Sequence, residues 1–184
     1  MKYQDTIING FTISKGIRNC SDRYEMIKPF CNTLGREFSV CDIGANMCYF
    51  GLRLINDFGC TVMAFEFNDF EKREKIILQN KTNKLMFVKR KIKINDLRIL
   101  RSFCHFDLIL AMSVLHHIPD DTAEFINELR LMSNNVIIEM AQDDSTRSSI
   151  RKNYTVPSDA ILIGNAKSHL SKSIHRPIFL LKNN

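Results

Sequence analysis

Residues Val40 to Leu52, VCDIGANMCYFGL, place an acid, a glycine and an amide (Asp42, Gly44 and Asn46) between an apolar run and a segment with helical spacing. A strand that breaks into a glycine-containing turn and continues as a helix is how an open parallel sheet receives a nucleotide at the carboxyl ends of its strands. Gly44 lets the backbone approach such a ligand, because a side chain there would collide with it. Ala45 and Asn46 complete the loop. About twenty residues further on, CTVMAFEF carries Glu66, at the offset where an acid accepts hydrogen bonds from both ribose hydroxyls. Phe67 beside it can cover an adenine face. Asn95 and Asp96, after the next strand, fit either the adenine amino group or a helix cap. Two other nucleotide loops are excluded. G-x-G-x-x-G is absent, since Gly44 is followed only by Gly51, and no GK[ST] of a P-loop follows.

A second constellation is cationic. SVLHHI places His116 and His117 just beyond an apolar strand, and AKSHLSKSIHRP adds Lys167, His169, Lys172, His175 and Arg176. Cations at that end of a sheet orient an anionic acceptor. An imidazole there also serves as general base if the acceptor is a hydroxyl, because it titrates near physiological pH. Arg147, after the fifth strand, is a further cation able to reach an anion. No acidic cluster for a metal is evident. Cys20, Cys31, Cys41, Cys48, Cys60 and Cys104 form no CxxC pair and read as reduced, buried small hydrophobes.

The elements that must position these groups follow from apolar periodicity. SDRYEMIKPFCNTL predicts a helix from about Asp22 to Leu34 with a Ser/Asp capping signal. Strand FSVCDIG is then followed by helix YFGLRLINDF, CTVMAFEF by DFEKREKIILQNK, LMFVKRK by NDLRILRSF, and FDLILAMSV by DDTAEFINELRLM, with NVIIEMA completing the series. Alternation of strand and helix implies a parallel, doubly wound sheet covered on both faces. DAILIGNAKSHL and HRPIFLLKN are joined by too short a connection for a helical crossover, so they pair as an antiparallel hairpin. This gives an α/β chain with seven strands, the last antiparallel.

With 184 residues and no linker-like stretch, the chain is expected to form one domain, 1–184. Within it, 1–36 is an N-terminal cofactor-covering segment and helix, 37–141 the nucleotide-binding core, and 142–184 the C-terminal hairpin and acceptor side. Hydrophobic residues at 45% and charged residues at 25% exclude a disordered or fibrous chain. No run of 18 apolar residues marks a transmembrane segment and the N-terminus lacks a signal-peptide core, so a cytoplasmic location is expected. The net charge of +6 favours an anionic partner.

DIGANMCYF, FEFN, FDLILAMSVLHHI and NVIIEMA resemble the successive motifs of class I S-adenosylmethionine-dependent methyltransferases, with their Rossmann-like sheet. YQDTIINGFTISKGIRNCSDRYEMI and ILIGNAKSHLSKSIHRPIFLL are similar to the methyltransferase half of the bifunctional kinase and methyltransferase that caps O-antigen polymannose chains, where a terminal phosphate installed by the kinase half is methylated. The resemblance extends from Tyr3 to about Leu181. It implies S-adenosyl-L-methionine as cofactor, with Tyr3, Arg23 and Ser113 among the residues that face it. Arg23 would pair with the methionine carboxylate through its planar fork. His169 and Arg176 match the family's HLS and RP positions on the acceptor side. The implied acceptor is anionic, a phosphate or hydroxyl oxygen on a surface glycan. An RNA terminal phosphate, a small molecule, or a binding subunit without catalysis are the alternatives. The kinase half is absent here, which implies a stand-alone enzyme or a separate kinase or glycosyltransferase partner. Two positions depart from the family pattern. Cys48 stands where glycine is frequent and is expected to crowd the methionine moiety, and Asn95 stands where relatives have an acid.

Overall fold

The computed structural model describes residues 3–68, 73–118, 121–141, 155–169 and 174–183. Arg147 and Lys172 lie outside the described residues. A small hairpin comes first, β1 (Thr6–Ile8) and β2 (Phe11–Ser14), followed by α1 (Cys20–Leu34). The repeat then runs β3 (Ser39–Ile43), α2 (Tyr49–Phe58), β4 (Thr61–Glu66), α3 (Arg73–Gln79), β5 (Leu85–Lys89), α4 (Ile94–Arg101), β6 (Leu108–Met112), α5 (Thr122–Met132) and β7 (Asn135–Glu139). β8 (Ile161–Lys167) and β9 (His175–Lys182) follow.

The seven-stranded sheet has the order β5-β4-β3-β6-β7-β9-β8. Strands β3 to β7 pair in parallel, while β9 runs antiparallel to both β7 and β8, as the hairpin reading requires. The order of strand addition reverses between β3 and β6, because β4 and β5 are laid outward on one side and β6 and β7 on the other. The carboxyl ends of β3 and β6 therefore open a crevice, the usual ligand position in such a sheet.

Successive residues of a strand face opposite sides, and here both sides are buried. Val40, Leu108 and Leu110 join Tyr24, Ile27 and Leu54 in one core, whereas Cys41, Ile109 and Ala111 join Leu97, Phe125 and Leu129 in the other. Burial on both faces is why β6 reads LILAM, without a polar alternation.

Two features at the front of the chain differ from expectation. The N-terminal hairpin turns at Asn9 and Gly10, both with positive φ (49° and 82°), the geometry that an Asn-Gly pair favours in a tight hairpin. Helix α1 starts at Cys20 and is capped by Asn19, whose side chain accepts the Asp22 N–H at 3.2 Å. Asp22 therefore lies in the first turn.

Candidate active site

The loop after β3 is fastened to its neighbours by backbone. The N–H groups of Gly44 and Ala45 both donate to the Phe65 carbonyl of β4, at 2.8 and 3.0 Å. Gly44 has φ +74°, and a Cβ there would come within 2.6 Å of Val114 Cγ2. Glycine is thus required by the packed Val114 side chain after β6 as well as by the left-handed backbone. Asn46 and Cys48 continue the turn at φ 53° and 62°, so the chain turns sharply before α2 begins.

Glu66 ends β4 and is 7% exposed. Its two oxygens accept the Asn46 N–H at 3.0 Å and the Asn68 N–H at 2.7 Å. A carboxylate has about four lone-pair sites, so roughly two acceptor positions remain after these bonds. Glu66 lines a cavity of about 450 Å³ at the carboxyl ends of β3, β4, β5 and β6. Tyr3, Gly44, Asn46, Phe67, Ser113 and His117 line the same cavity. It therefore brings together residues that the sequence places in four separate segments.

Other expected site residues are absent from this lining and stand behind it. Arg23 is the main correction. It is 1% exposed, and its guanidinium is engaged by protein: Nε donates to Glu139 at 2.9 Å, Nη1 to the Asn19 carbonyl and Nη2 to the Lys167 carbonyl, each at 2.9 Å. Arg18 lines the cavity instead. The missed hairpin explains the exchange. Its base closes where the Arg18 N–H donates to the Tyr3 carbonyl at 2.9 Å, which holds both residues at the cavity wall. Gly16 permits that closure, since a Cβ there would lie 2.4 Å from the Gln4 carbonyl carbon.

Glu139, at the end of β7, is fully buried and holds both arginines, Arg18 through Nη2 and Arg23 through Nε. Burial alone would raise its pKa. The Arg18 and Arg23 charges reverse that and hold the carboxyl below its ordinary range. Asp42 has the opposite fate. It is buried within β3, one of its oxygens has no hydrogen-bond partner, and burial, aided by the Glu66 charge and opposed by Arg18, raises its pKa to about 7. It supports the loop from beneath and is not part of the cavity wall, and neither is Ala45, which is packed in the core.

Asn95 and Asp96 sit in the first turn of α4, away from the cavity. The Asp96 carboxylate accepts the Lys93 N–H at 3.0 Å and pairs with Arg90, while Asn95 accepts from Arg98 at 3.4 Å. Asp96 therefore caps the helix, and neither residue is in the cavity's lining. Arg90, Lys91 and Ile92 line the cavity after the end of β5. Cys48 is a further correction. It is fully buried, packs in the core beneath α2 and does not line the cavity, and burial pushes its thiol pKa up.

The cationic group divides similarly. His117 faces the cavity from the 3-10 turn Leu115–His117, with the buried His116 ring 3.9 Å from its own. His169 packs edge-on against Tyr3, with centroids 5.1 Å apart, and Arg176 is 2% exposed and donates to Ser113 Oγ. Both touch the cavity's lining without belonging to it. Lys167 and His175 are exposed. Among the described residues no group of three His, Cys, Asp or Glu can hold a metal ion, and no helix is long and apolar enough to cross a membrane.

No family model matches this chain, and no curated protein matches it. Solved structures do. The bifunctional kinase-methyltransferase WbdD superposes with a TM-score of 0.74 at 23% identity over 92% of this chain. The N-terminal domain of EvdMO1, solved in the presence of SAH and D-fucose, gives a TM-score of 0.67 at 11% identity and covers 100% of this chain and 91% of that one. Magnesium protoporphyrin IX methyltransferase (ChlM) from Synechocystis PCC 6803, with bound SAH, gives 0.58 at 12% identity, with coverages of 89% and 81%. The chain spans 41% of the length of WbdD. What these proteins share with it is the class I methyltransferase fold.

Proposed function

We propose that this chain is a methyltransferase that uses S-adenosyl-L-methionine and methylates an anionic oxygen, a phosphate carried on a glycan. Glu66 carries the cofactor reading. It is a nearly buried carboxylate, fixed by two backbone donors, that keeps acceptor capacity toward a cavity beside Gly44. That is the requirement for a ribose diol. Arg18, the arginine in the wall, supplies positive charge for the methionine carboxylate in place of Arg23, with its Nη2 already held by Glu139.

S-adenosyl-L-methionine supplies a methyl carbon on a sulfonium, whose C–S bond breaks as the new C–O bond forms, leaving S-adenosylhomocysteine. The protein's part is to hold the acceptor oxygen in line behind that carbon. A phosphate is ionised near neutral pH, its second pKa lying near 6, so the residues need only orient it. The likeness to a kinase-methyltransferase favours this acceptor, with a kinase to prepare it. A sugar hydroxyl is the second reading. His117 in the wall favours it, as a base within reach, and so does the EvdMO1 domain solved with D-fucose.

Calorimetry with S-adenosylmethionine tests the cofactor reading. Glu66→Ala removes two hydrogen bonds to an ionised group, each contributing roughly 1.5–3 kcal/mol, so the dissociation constant should rise at least tenfold. An unchanged constant overturns the assignment. Mass spectrometry of the methylated product then distinguishes a phosphate methyl ester from an ether.

A further inference from the structure

Ser113 has three properties that combine into a chemical role. It follows β6 with φ +62°, a left-handed conformation that a non-glycine residue adopts at a cost, and it lies in the cavity wall at 9% exposure. Its Oγ accepts a hydrogen bond from Arg176 Nη1, a guanidinium carried on β9 that is itself 2% exposed. No carbonyl or carboxylate among the described residues accepts the Ser113 proton. A hydroxyl that already accepts from a cation is a poor acceptor for a second donor and a polarised, stronger donor. Surrounding charge favours the same ligand. Arg18, Arg23 and Arg176 surround the buried carboxylate of Glu139, and Arg18, Arg90 and Lys91 carry positive charge into the cavity wall.

We infer that Ser113 donates its hydroxyl proton to an anionic oxygen of the methyl acceptor, and that Arg176 is the positioning residue that aims and polarises it. The inference rests on the phosphate reading given above and narrows it to one contact. Arg18 is assigned above to the cofactor's carboxylate, and Ser113 stands with Val114 and His117 in the wall of the same cavity, at the end of β6. Arg176 thereby acts on the acceptor without reaching the cavity, which reconciles its burial with its place in the hairpin.

The test titrates inorganic phosphate into the S-adenosylhomocysteine-saturated chain by calorimetry, with S-adenosylmethionine affinity measured separately. Ser113→Ala should weaken phosphate about tenfold, the usual loss for a hydrogen bond to a charged group, and weaken S-adenosylmethionine by less. Ser113→Gly should lose phosphate equally while melting close to the wild type, because glycine relieves the positive φ but leaves the buried Arg176 Nη1 without its acceptor. Arg176→Lys should weaken phosphate severalfold in the wild-type background and have no further effect in Ser113→Ala, the coupling expected if it acts through that hydroxyl. An equal Arg176→Lys effect in both backgrounds refutes the positioning role. Unchanged phosphate affinity in Ser113→Ala, or a loss confined to S-adenosylmethionine, refutes the donor role, as does a wild-type chain that binds no phosphate. If the wild type does not bind S-adenosylmethionine, the cofactor reading fails separately, and phosphate titration of the unliganded chain still decides the inference.

Discussion

Replacing Glu139 by glutamine should be among the most damaging isosteric changes available to this protein. The carboxylate has no exposed surface and faces two guanidiniums, Arg18 and Arg23, with Arg176 contributing a third positive charge nearby. Glutamine keeps one acceptor oxygen, but it places an NH2 donor against an arginine and leaves the buried charges uncompensated. Breaking a buried pair in this way costs about 3–5 kcal/mol, a large fraction of the total stability of an ordinary domain, and corresponds to a melting-point drop of roughly 6–20 °C. Urea denaturation at pH 7 measures it directly. Glu124→Gln is the control, because Glu124 meets Arg98 with both side chains about half exposed, and such a pair contributes at most about 1 kcal/mol. The pH dependence has a definite sign. Since the folded pKa of Glu139 is depressed, its contribution is present above the ordinary carboxyl range and lost as pH falls through the folded value. The gap between wild type and variant should therefore hold steady above the ordinary carboxyl range and narrow as pH falls below it. A Glu139→Gln variant within about 1 kcal/mol of the wild type would refute the argument that these ion pairs hold the cavity's back wall.

Asp42 predicts the reverse pH trend. Its folded pKa is raised to about 7, so the stability associated with its neutral form is present below the unfolded value near 4 and is lost as pH rises toward 7. Asp42→Asn should be more stable than wild type at pH 8 and equal to it near pH 4, in matched urea titrations; a difference independent of pH would show that Asp42 is not buried as a neutral acid. Cys48→Gly relieves a φ of +62° but removes a buried sulfur, two effects of about 1 kcal/mol each that oppose. Melting temperature should change little and S-adenosylmethionine affinity should stay within about twofold, whereas weakened binding with the fold intact would mean that the thiol touches the cofactor.

The sheet was legible because short apolar runs and 3.6-residue periodicity are local. FSVCDIG, CTVMAFEF and NVIIEMA declare strands within a few residues, and the short link before HRPIFLLKN leaves only an antiparallel return. Gly44 and Glu66 were legible for the related reason that their offset along one strand–helix–strand unit fixes where they emerge. The exchange of Arg18 for Arg23 was not legible, since it depends on an ion pair across 116 residues of sequence that no local pattern encodes. Two signals were nonetheless present. Asn9-Gly10 is a strong hairpin marker, and the acid inside the apolar run of NVIIEMA demands buried cationic partners. Asp96 misled because a helix's first turn and a loop near a ligand favour the same residue types.

Strand β9 lies between β7 and β8, so the last strand in sequence is an interior strand of the sheet. During synthesis on the ribosome, β7 would remain an open apolar edge until His175–Lys182 emerges, and the Arg176 that props Ser113 arrives with the same residues. The pairing of β7 with β9 and the joining of Arg18 to Glu139, 121 residues apart, are late, long-range closures. A nascent or truncated chain lacking β9 would thus expose a sheet edge able to pair with other chains, and its quality control would fall to chaperones.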